Sequence, residues 1–513
     1  MQRQDYPRPD AVRPRLKSLN GVWEFAKGAL PESFSELVFD EKINVPFPAG
    51  SEMSGQTEPS ASVRYRKSFE LTAFECSGTV LLNFLNVDGA FGVVLNGVTV
   101  FSGIKGGASA RFDVSRIVRE GVNELTVFSA ASPSTRGIYG SVWLEFAAKS
   151  YFSFIRANAV YASKAIYIQG AVAGATEDYK ILVELASGGK QIFRREYKAL
   201  PSFTLHVPLE RLPDMWTASH PALYDVRLTL ITPGGGMADM LYTYTAFREI
   251  DVLDGKIYIN GRRTFFEAVL DPMYYPGSGS TPPDSDRIAK DLAFASLAGF
   301  NSVVFDSYPT PAHLYIADKL GLFAIVKLKN IVPSDENYRD LIMRDYGHPS
   351  VIIWEAEPQN YDAATQRSVY TDLKNTDPKR IVTFPAAKRI YATDLYSFNC
   401  DEKDIPMYLQ LRFNTVPVSE KEELRLKKTD PAALSYEKLK AMPAFYTGIK
   451  AELNISDAVK EASYKAKYSR ILAALYENAS GLEVYSLYDT PDRFDGLMSA
   501  EREYKLSSPK RDA

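Results

Sequence analysis

Short apolar runs broken by turn residues fill the first 150 or so positions, as in Val80 to Leu85 and Val93-Val94-Leu95. Asn96-Gly97 stands between Val-Val-Leu and Val-Thr-Val. A two-residue Asn-Gly link predicts a hairpin, because a type I′ turn needs positive φ at both central positions. Residues 151–248 repeat the pattern with glycine-rich loops such as Gly234-Gly235-Gly236, and predict an immunoglobulin-like β-sandwich. A second Asn-Gly pair follows Lys256-Ile-Tyr-Ile. From about residue 249 onward the pattern changes, and strand-length apolar runs alternate with helix-length segments. That alternation predicts a parallel sheet.

Eight candidate strands fall in this part: Thr264–Leu270, Asn301–Ser307, Leu322–Leu328, Ser350–Glu357, Arg380–Pro385, Ala392–Asn399, Met442–Ile449 and Leu482–Tyr488. Eight parallel strands closing on themselves occupy about 250 residues, the length that remains after 249. The helices carry matching punctuation. Thr310-Pro311 supplies a cap followed by proline, and Gly321 follows Leu320 as a terminating glycine. Asp284 or Ser285 caps a helix that ends at Gly299. Ser456 opens a longer helix with Tyr464, Tyr468, Ile471 and Leu475 on one face. The tail from Ser507 to Ala513 is polar and is expected to be disordered.

The most informative stretch runs from His348-Pro349 through Ser350-Val-Ile-Ile-Trp354 to Glu355-Ala-Glu357-Pro-Gln359-Asn360. Its first half reads as a strand buried on both faces, as in parallel sheets. Its second half places polar groups at the carboxyl end of that strand, where barrels build their sites. Glu355, Glu357 and Gln359 share parity and so point to one side. His348-Pro349 is expected to cap the turn into the strand.

Composition narrows the function classes. The chain has 513 residues, 45% apolar and 24% charged, with a net charge of −3. No basic face for nucleic acid is implied. No run of 18 apolar residues predicts a membrane span. The start, Met-Gln-Arg-Gln-Asp-Tyr-Pro, has no apolar leader. With Cys76 and Cys400 far apart, a reducing cytoplasm is the expected setting, an exported form with its leader removed being the alternative. The sequons at Asn454 and Asn478 carry little weight without a leader. The four histidines, 206, 220, 313 and 348, share no metal-ligand spacing, and no phosphate-binding glycine loop or nucleophile elbow occurs. Lys421 to Lys428 is a mixed charge run, read as a solvated face. No cofactor and no metal is expected.

His-Pro-Ser-Val-Ile-Ile-Trp resembles the fourth barrel strand of glycoside hydrolase family 2, the β-galactosidase and β-glucuronidase family. Leu19-Asn-Gly-Val-Trp-Glu-Phe, Phe112-Asp-Val-Ser and Gly137-Ile-Tyr-Gly-Ser-Val-Trp resemble its amino-terminal jelly-roll, with a shorter segment before Gly137. The resemblance implies a jelly-roll at 1–150, the immunoglobulin-like sandwich at 151–248 and a (β/α)8 TIM barrel at 249–513.

A retaining glycosidase needs two carboxyl groups about 5 to 5.5 Å apart. Carrying the family spacing over, the acid/base position falls on Gln359, with Pro358 where the family has Asn, and the nucleophile position falls on Gly448. Neither is a carboxylate. After strand two, Val304-Phe305-Asp306 stands where one branch of the family has Arg-Lys-His. The resemblance therefore implies a degenerate member that binds carbohydrate without cleaving it, or serves as a scaffold in an assembly. A working β-glycosidase with relocated carboxylates is the alternative, with Glu357 as the fallback acid and Glu355, Asp306, Asp394 and Glu452 as further acids near strand ends. Glu355 and Glu357 are otherwise expected to pair with Lys327 or Lys329. Asp271, Tyr274, Tyr275, Trp354, Tyr396 and Tyr488 are the expected ligand contacts at the barrel mouth.

Overall fold

In the computed structural model the described residues are 3–28, 38–104, 109–333, 336–385, 390–399, 442–450, 458–476, 479–493, 496–503 and 505. The first β region holds two antiparallel sheets. One has six strands, in the order Glu41–Val45, Gly21–Lys27, Ser60–Leu71, Gly121–Thr135, Ala90–Leu95 and Val98–Ile104. The other has four, Leu16–Ser18, Val142–Ala147, Thr79–Phe84 and Ala110–Asp113. Alternation sets their shared core. Trp23, Phe25 and Tyr65 point in from the first sheet to meet Val80, Leu82 and Leu144 from the second. Asn96 and Gly97 adopt φ of 50° and 79°, the left-handed pair that a tight hairpin requires.

The second β region also has two sheets, three strands (Tyr151–Val160, Ala165–Ala173, Ser202–Pro208) against four (Lys190–Lys198, Lys180–Ser187, Tyr224–Ile231, Met237–Thr245). Phe152, Ile168, Val183 and Leu228 lie in their common core. Arg13, 1% exposed, ties the two regions by pairing with Glu145 of the first and Asp239 of the second.

The second Asn-Gly pair, Asn260-Gly261, turns Lys256–Ile259 back onto Arg262–Arg263, and Ile250–Leu253 completes a three-stranded antiparallel sheet ahead of the barrel. Ile257 and Ile259 pack beneath Phe266, Ile325 and Phe445, so this sheet floors the barrel. The closed barrel itself runs through Phe266–Asp271, Ser302–Phe305, Phe323–Ile331, Val351–Pro358, Ile381–Phe384, Leu395–Asn399, Ala444–Lys450 and Gly481–Tyr485, strands one to eight below. Each lies within or across one of the eight predicted runs. Asp284 caps the helix Ser285–Leu297 by accepting from the Arg287 amide, and Gly321, at φ 74°, ends the helix Pro311–Leu320. Trp216 of the second β region donates to the Asp318 carbonyl at 2.8 Å and docks that region on the barrel. Among the described residues no helix is long and apolar enough to cross a membrane. Cys400, Asn454, Asn478, Ser456, Glu452, the 421–428 charge run and the 507–513 tail lie outside the described residues, as do the side chains of Tyr396 and Tyr464.

Candidate functional site: the barrel interior and its mouth

Parity along each strand decides what faces inward. Val326, Leu328, Trp354, Ala356, Leu482 and Val484 pack outward against Leu292, Leu314, Leu341 and Val369 of the helix layer. The residues between them therefore point into the barrel. Low in the interior these are apolar: Phe266, Ala268, Phe323, Ile325, Ile353, Leu395 and Phe445. One pleat step higher the lining becomes charged. Lys327 of strand three, Glu355 of strand four and Glu483 of strand eight are 7%, 6% and 2% exposed.

These three form one cluster centred on the Lys327 ammonium. Its Nζ lies 3.1 Å from Asp306 Oδ1, 3.8 Å from Glu355 Oε1 and 3.9 Å from Glu483 Oε1. Lys329 reaches the other Asp306 oxygen at 3.2 Å. The expected pairing of Glu355 with Lys327 is present, while Lys329 turns to Asp306. Burial pushes the Glu355 carboxyl up to about 8, Lys327 opposes the rise, and Glu483, Glu357 and Asp306 add to it. Glu483 is raised for the same leading reason, with Lys327 again opposing. Two desolvated carboxyls around one ammonium share protons rather than ionise independently. Glu483 Oε1 has no hydrogen-bond partner among the described residues, which fits a carboxyl group held partly protonated. Glu483 was not singled out in the sequence. Its signal was a lone acid inside the apolar run Gly-Leu-Glu-Val-Tyr.

At the mouth, Glu357 is half-buried and Gln359 is exposed just beyond strand four, its backbone N–H donating to the Ile331 carbonyl at 3.1 Å. Pro358 closes the strand. Tyr361 is 40% exposed, and its hydroxyl pKa is raised by burial and then by Glu357 and Glu355. Gly448 lies in strand seven, where the pairing with strand eight shifts register between Tyr446 and Ile449.

The expected aromatic ligand contacts need correcting. Trp354 is fully buried on the helix side, donating to Asp377 at 3.0 Å, with Arg380 over its ring. Its parity is opposite to that of Glu355, so it cannot stack on a ligand inside the mouth. Asp271 is 1% exposed and accepts from the Tyr488 hydroxyl at 2.6 Å and the Met273 amide at 2.8 Å. Burial lifts Asp271 to about 6, with the Tyr488 hydrogen bond opposing. Arg502 lies 3.4 Å above the Tyr488 ring and pairs with Asp291 at 3.0 Å. Tyr275 is buried and bonds His313 at 2.9 Å, and Tyr274 packs half-buried on the helix-side core. These groups form a polar knot that fastens strand one to the helix Ser285–Leu297 and the carboxyl-terminal segment. Asp394 likewise serves packing, accepting from Tyr370 at 2.7 Å and Lys374 at 2.9 Å.

His348 does more than cap a turn. Its Nδ1 sits 2.7 Å from Asp318 and 2.9 Å from the Tyr244 hydroxyl, which joins barrel to second β region. Asp318 also accepts from the Ser350 amide at 2.8 Å, fixing the entry to strand four. Among the described residues no group of three or more His, Cys, Asp or Glu side chains is placed to hold a metal ion.

Comparison with known proteins agrees with this architecture. Residues 334–444 match the TIM barrel domain of glycosyl hydrolases family 2. A β-galactosidase from Photobacterium profundum is 24% identical over 452 residues, covering 73% of this chain and 43% of the relative. The chain thus spans under half the length of the curated relatives it matches. In structure it is similar to a β-D-glucuronidase from Dictyoglomus thermophilum, at TM-score 0.75 and 17% identity, covering 96% of this chain and 95% of that one. It is also similar to a β-galacturonidase from Eisenbergiella tayi, at TM-score 0.72 and 19% identity, covering 96% and 95%. The chain is thus similar in fold to family 2 enzymes of known structure, and residues 334–444 are similar in sequence to that family's barrel domain.

Proposed function

We propose that this chain is a family 2-like protein that engages carbohydrate at its barrel mouth without hydrolysing it. One observation carries the reading. At the two positions that the family resemblance assigns to chemistry stand Gln359, an exposed amide, and Gly448, a residue without a side chain. The carboxyls that do line the barrel, Glu355 and Glu483, are closed in around Lys327 below the mouth. A general acid must reach the glycosidic oxygen directly or through one water, and a nucleophile must reach the anomeric carbon. Side chains only 6% and 2% exposed offer little surface for either contact.

Among the described residues, Glu357, Gln359 and Tyr361 after strand four are the groups proposed to meet a sugar. An exposed phenol ring beside a carboxylate and an amide supplies one stacking face and several hydrogen-bonding atoms. Affinity is expected to be weak, on the order of millimolar, since apolar Val304 and Phe305 stand where the family resemblance implies charged residues. Calorimetric titration with hexoses and with glucuronic and galacturonic acids is expected to give weak heat, and Tyr361→Ala is expected to remove the hexose heat. Absence of heat with every sugar would favour the scaffold reading instead.

One observation favours a second reading, a β-glycosidase with relocated carboxylates. Glu355, held at about 8, would be protonated at neutral pH as a general acid must be, with Glu483 across the same ammonium.

A further inference from the structure

At the end of the barrel opposite the mouth, three parts of the chain enclose a cavity of about 260 Å3. The first β region contributes Arg8, Asp10 and Arg111, and the second contributes Arg156. The helix Glu336–Asp345, which leads into strand four, contributes Asp340 and Arg344. Two of the four guanidinium groups are neutralised on the spot. Arg8 pairs with Asp10 at 2.6 Å, and Arg344 holds Asp345 through two bonds of 2.7 Å.

The other two are not. Arg156 bonds the Gln169 side-chain oxygen and reaches the Met343 sulfur at 3.8 Å, both uncharged groups. Arg111 donates to Asn83 at 2.8 Å and stands 3.5 Å from Glu145, a carboxylate that Arg13 already engages at 3.0 Å. Burial holds the Arg111 guanidinium below its ordinary value. Glu145 opposes that, and Arg8 and Arg13 reinforce it. The Ser109 hydroxyl, also in the lining, is buried without a hydrogen-bond partner among the described residues.

A neighbouring cavity of about 40 Å3 shares the walls formed by Ala157 and Gly347. There Arg248 keeps a buried Nε without a hydrogen-bond partner among the described residues, beside Lys379 and Arg380. Burial, then Arg380, brings Arg248 down to about 9. The one acid of that corner, Asp377, has one oxygen bound to Arg380 and Trp354 and the other without a partner. The Ser109 hydroxyl in the first cavity and the Arg248 Nε in the second are thus donors without a partner among the described residues. Half-buried guanidinium groups that face mainly uncharged partners are stabilised by an anion, and the guanidinium fork fits the paired oxygens of carboxylate, sulfate and phosphate.

We propose that this seam is a binding site for a small molecule carrying an oxyanion group, held by Arg111 and Arg156 with the Ser109 hydroxyl as a further donor. The apolar wall of Phe154, Leu241 and Met343 admits an organic body beside the anion. Because the lining comes from both β regions and the barrel, occupancy stabilises their docking. The site is separate from the barrel mouth and stands whatever the mouth does.

Titration calorimetry on the full chain carrying Tyr361→Ala, which silences the barrel mouth, tests it, with inorganic phosphate, sulfate, citrate and glucuronate as probes and glucose as the neutral control. The expected result is saturable heat from at least one oxyanion and none from glucose at this site, weakening as sodium chloride is raised. A parallel rise in melting temperature should accompany it. A response to phosphate or sulfate alone assigns the site to a free inorganic ion, and one to citrate or glucuronate assigns it to a carboxylate-bearing molecule. Arg111→Gln combined with Arg156→Gln should weaken binding by about tenfold or more. Arg156→Gln alone, which leaves the Arg111–Asn83 contact intact, should weaken it severalfold. Arg195→Gln, on an exposed strand of the second β region, should leave it unchanged. The proposal is overturned by an absence of heat from every oxyanion, by affinity that survives in Arg156→Gln and the double variant, or by sodium chloride alone reproducing the full thermal effect.

Discussion

At pH 8 the Glu355→Gln variant should unfold at a higher urea concentration than the parent chain, and the advantage should vanish near pH 4.5. The reason is linkage. The folded state raises the Glu355 carboxyl from 4.5 to about 8, with burial the largest cause. Below the unfolded value the group is protonated in both states and its contribution is fully favourable. As pH rises toward 8, the unfolded chain releases the proton freely while the folded chain holds it, and that stability is lost. Glutamine never ionises and escapes the loss. The variant leaves no unpaired ammonium, because Lys327 keeps Asp306 and Glu483 beside it, and at about 1.4 kcal/mol per pKa unit the gain is on the order of a few kcal/mol. Urea unfolding at pH 4.5, 6 and 8 reads the effect. A destabilised Glu355→Gln at pH 8 would show that the Lys327–Glu355 pair outweighs the burial of its carboxylate.

The opposite sign is expected at the centre of the same cluster. Lys327→Met removes the ammonium that lies within 4 Å of Asp306, Glu355 and Glu483 at once. The methionine chain nearly matches the lost volume, so the change is chiefly electrostatic. Breaking a buried pair by deleting one partner costs about 3 to 5 kcal/mol. The loss should be largest at alkaline pH and should shrink in acid, where Glu355 and Glu483 take up protons and need no counter-charge. Adding Glu355→Gln to Lys327→Met should restore part of the stability, because the two changes act on one interaction. Equal destabilisation at pH 5 and pH 8 would mean that Lys327 matters for packing alone.

Much of the barrel was legible because each strand carries its own local signature. Ser350–Glu357 was read from an apolar run between turn residues, and the strand observed is Val351–Pro358. Asn96-Gly97 announced its hairpin through the φ values that only such residues accept readily. The interior cluster was half legible. Glu355 and Lys327 stood out as charges in apolar strands, but only the closure of strand eight against strand one brings Glu483 to the same ammonium.

The aromatic contacts were misplaced for two different reasons. Trp354 could have been excluded by parity, since it alternates with Glu355 along one strand. Asp271, Tyr275 and Tyr488 could not. Their burial depends on Arg502, more than 200 residues beyond Asp271, and on His313 of another helix. Pairings of that range have no local signature. The seam cavity was equally hidden, because Arg111, Arg156 and Arg344 meet only after three separately predicted regions dock.

The most direct test of the non-hydrolytic reading is turnover of nitrophenyl galactoside, glucoside, mannoside and glucuronide by the purified chain. General acid assistance alone contributes about 10² to 10⁴ in rate, and the covalent route adds more. With Gln359 and Gly448 at the two family positions, release of nitrophenol should not exceed the uncatalysed background for any of the four substrates. The same should hold for Glu355→Gln and Glu357→Gln. Robust turnover by the parent chain that disappears in either variant would contradict the reading and assign the general acid to strand four.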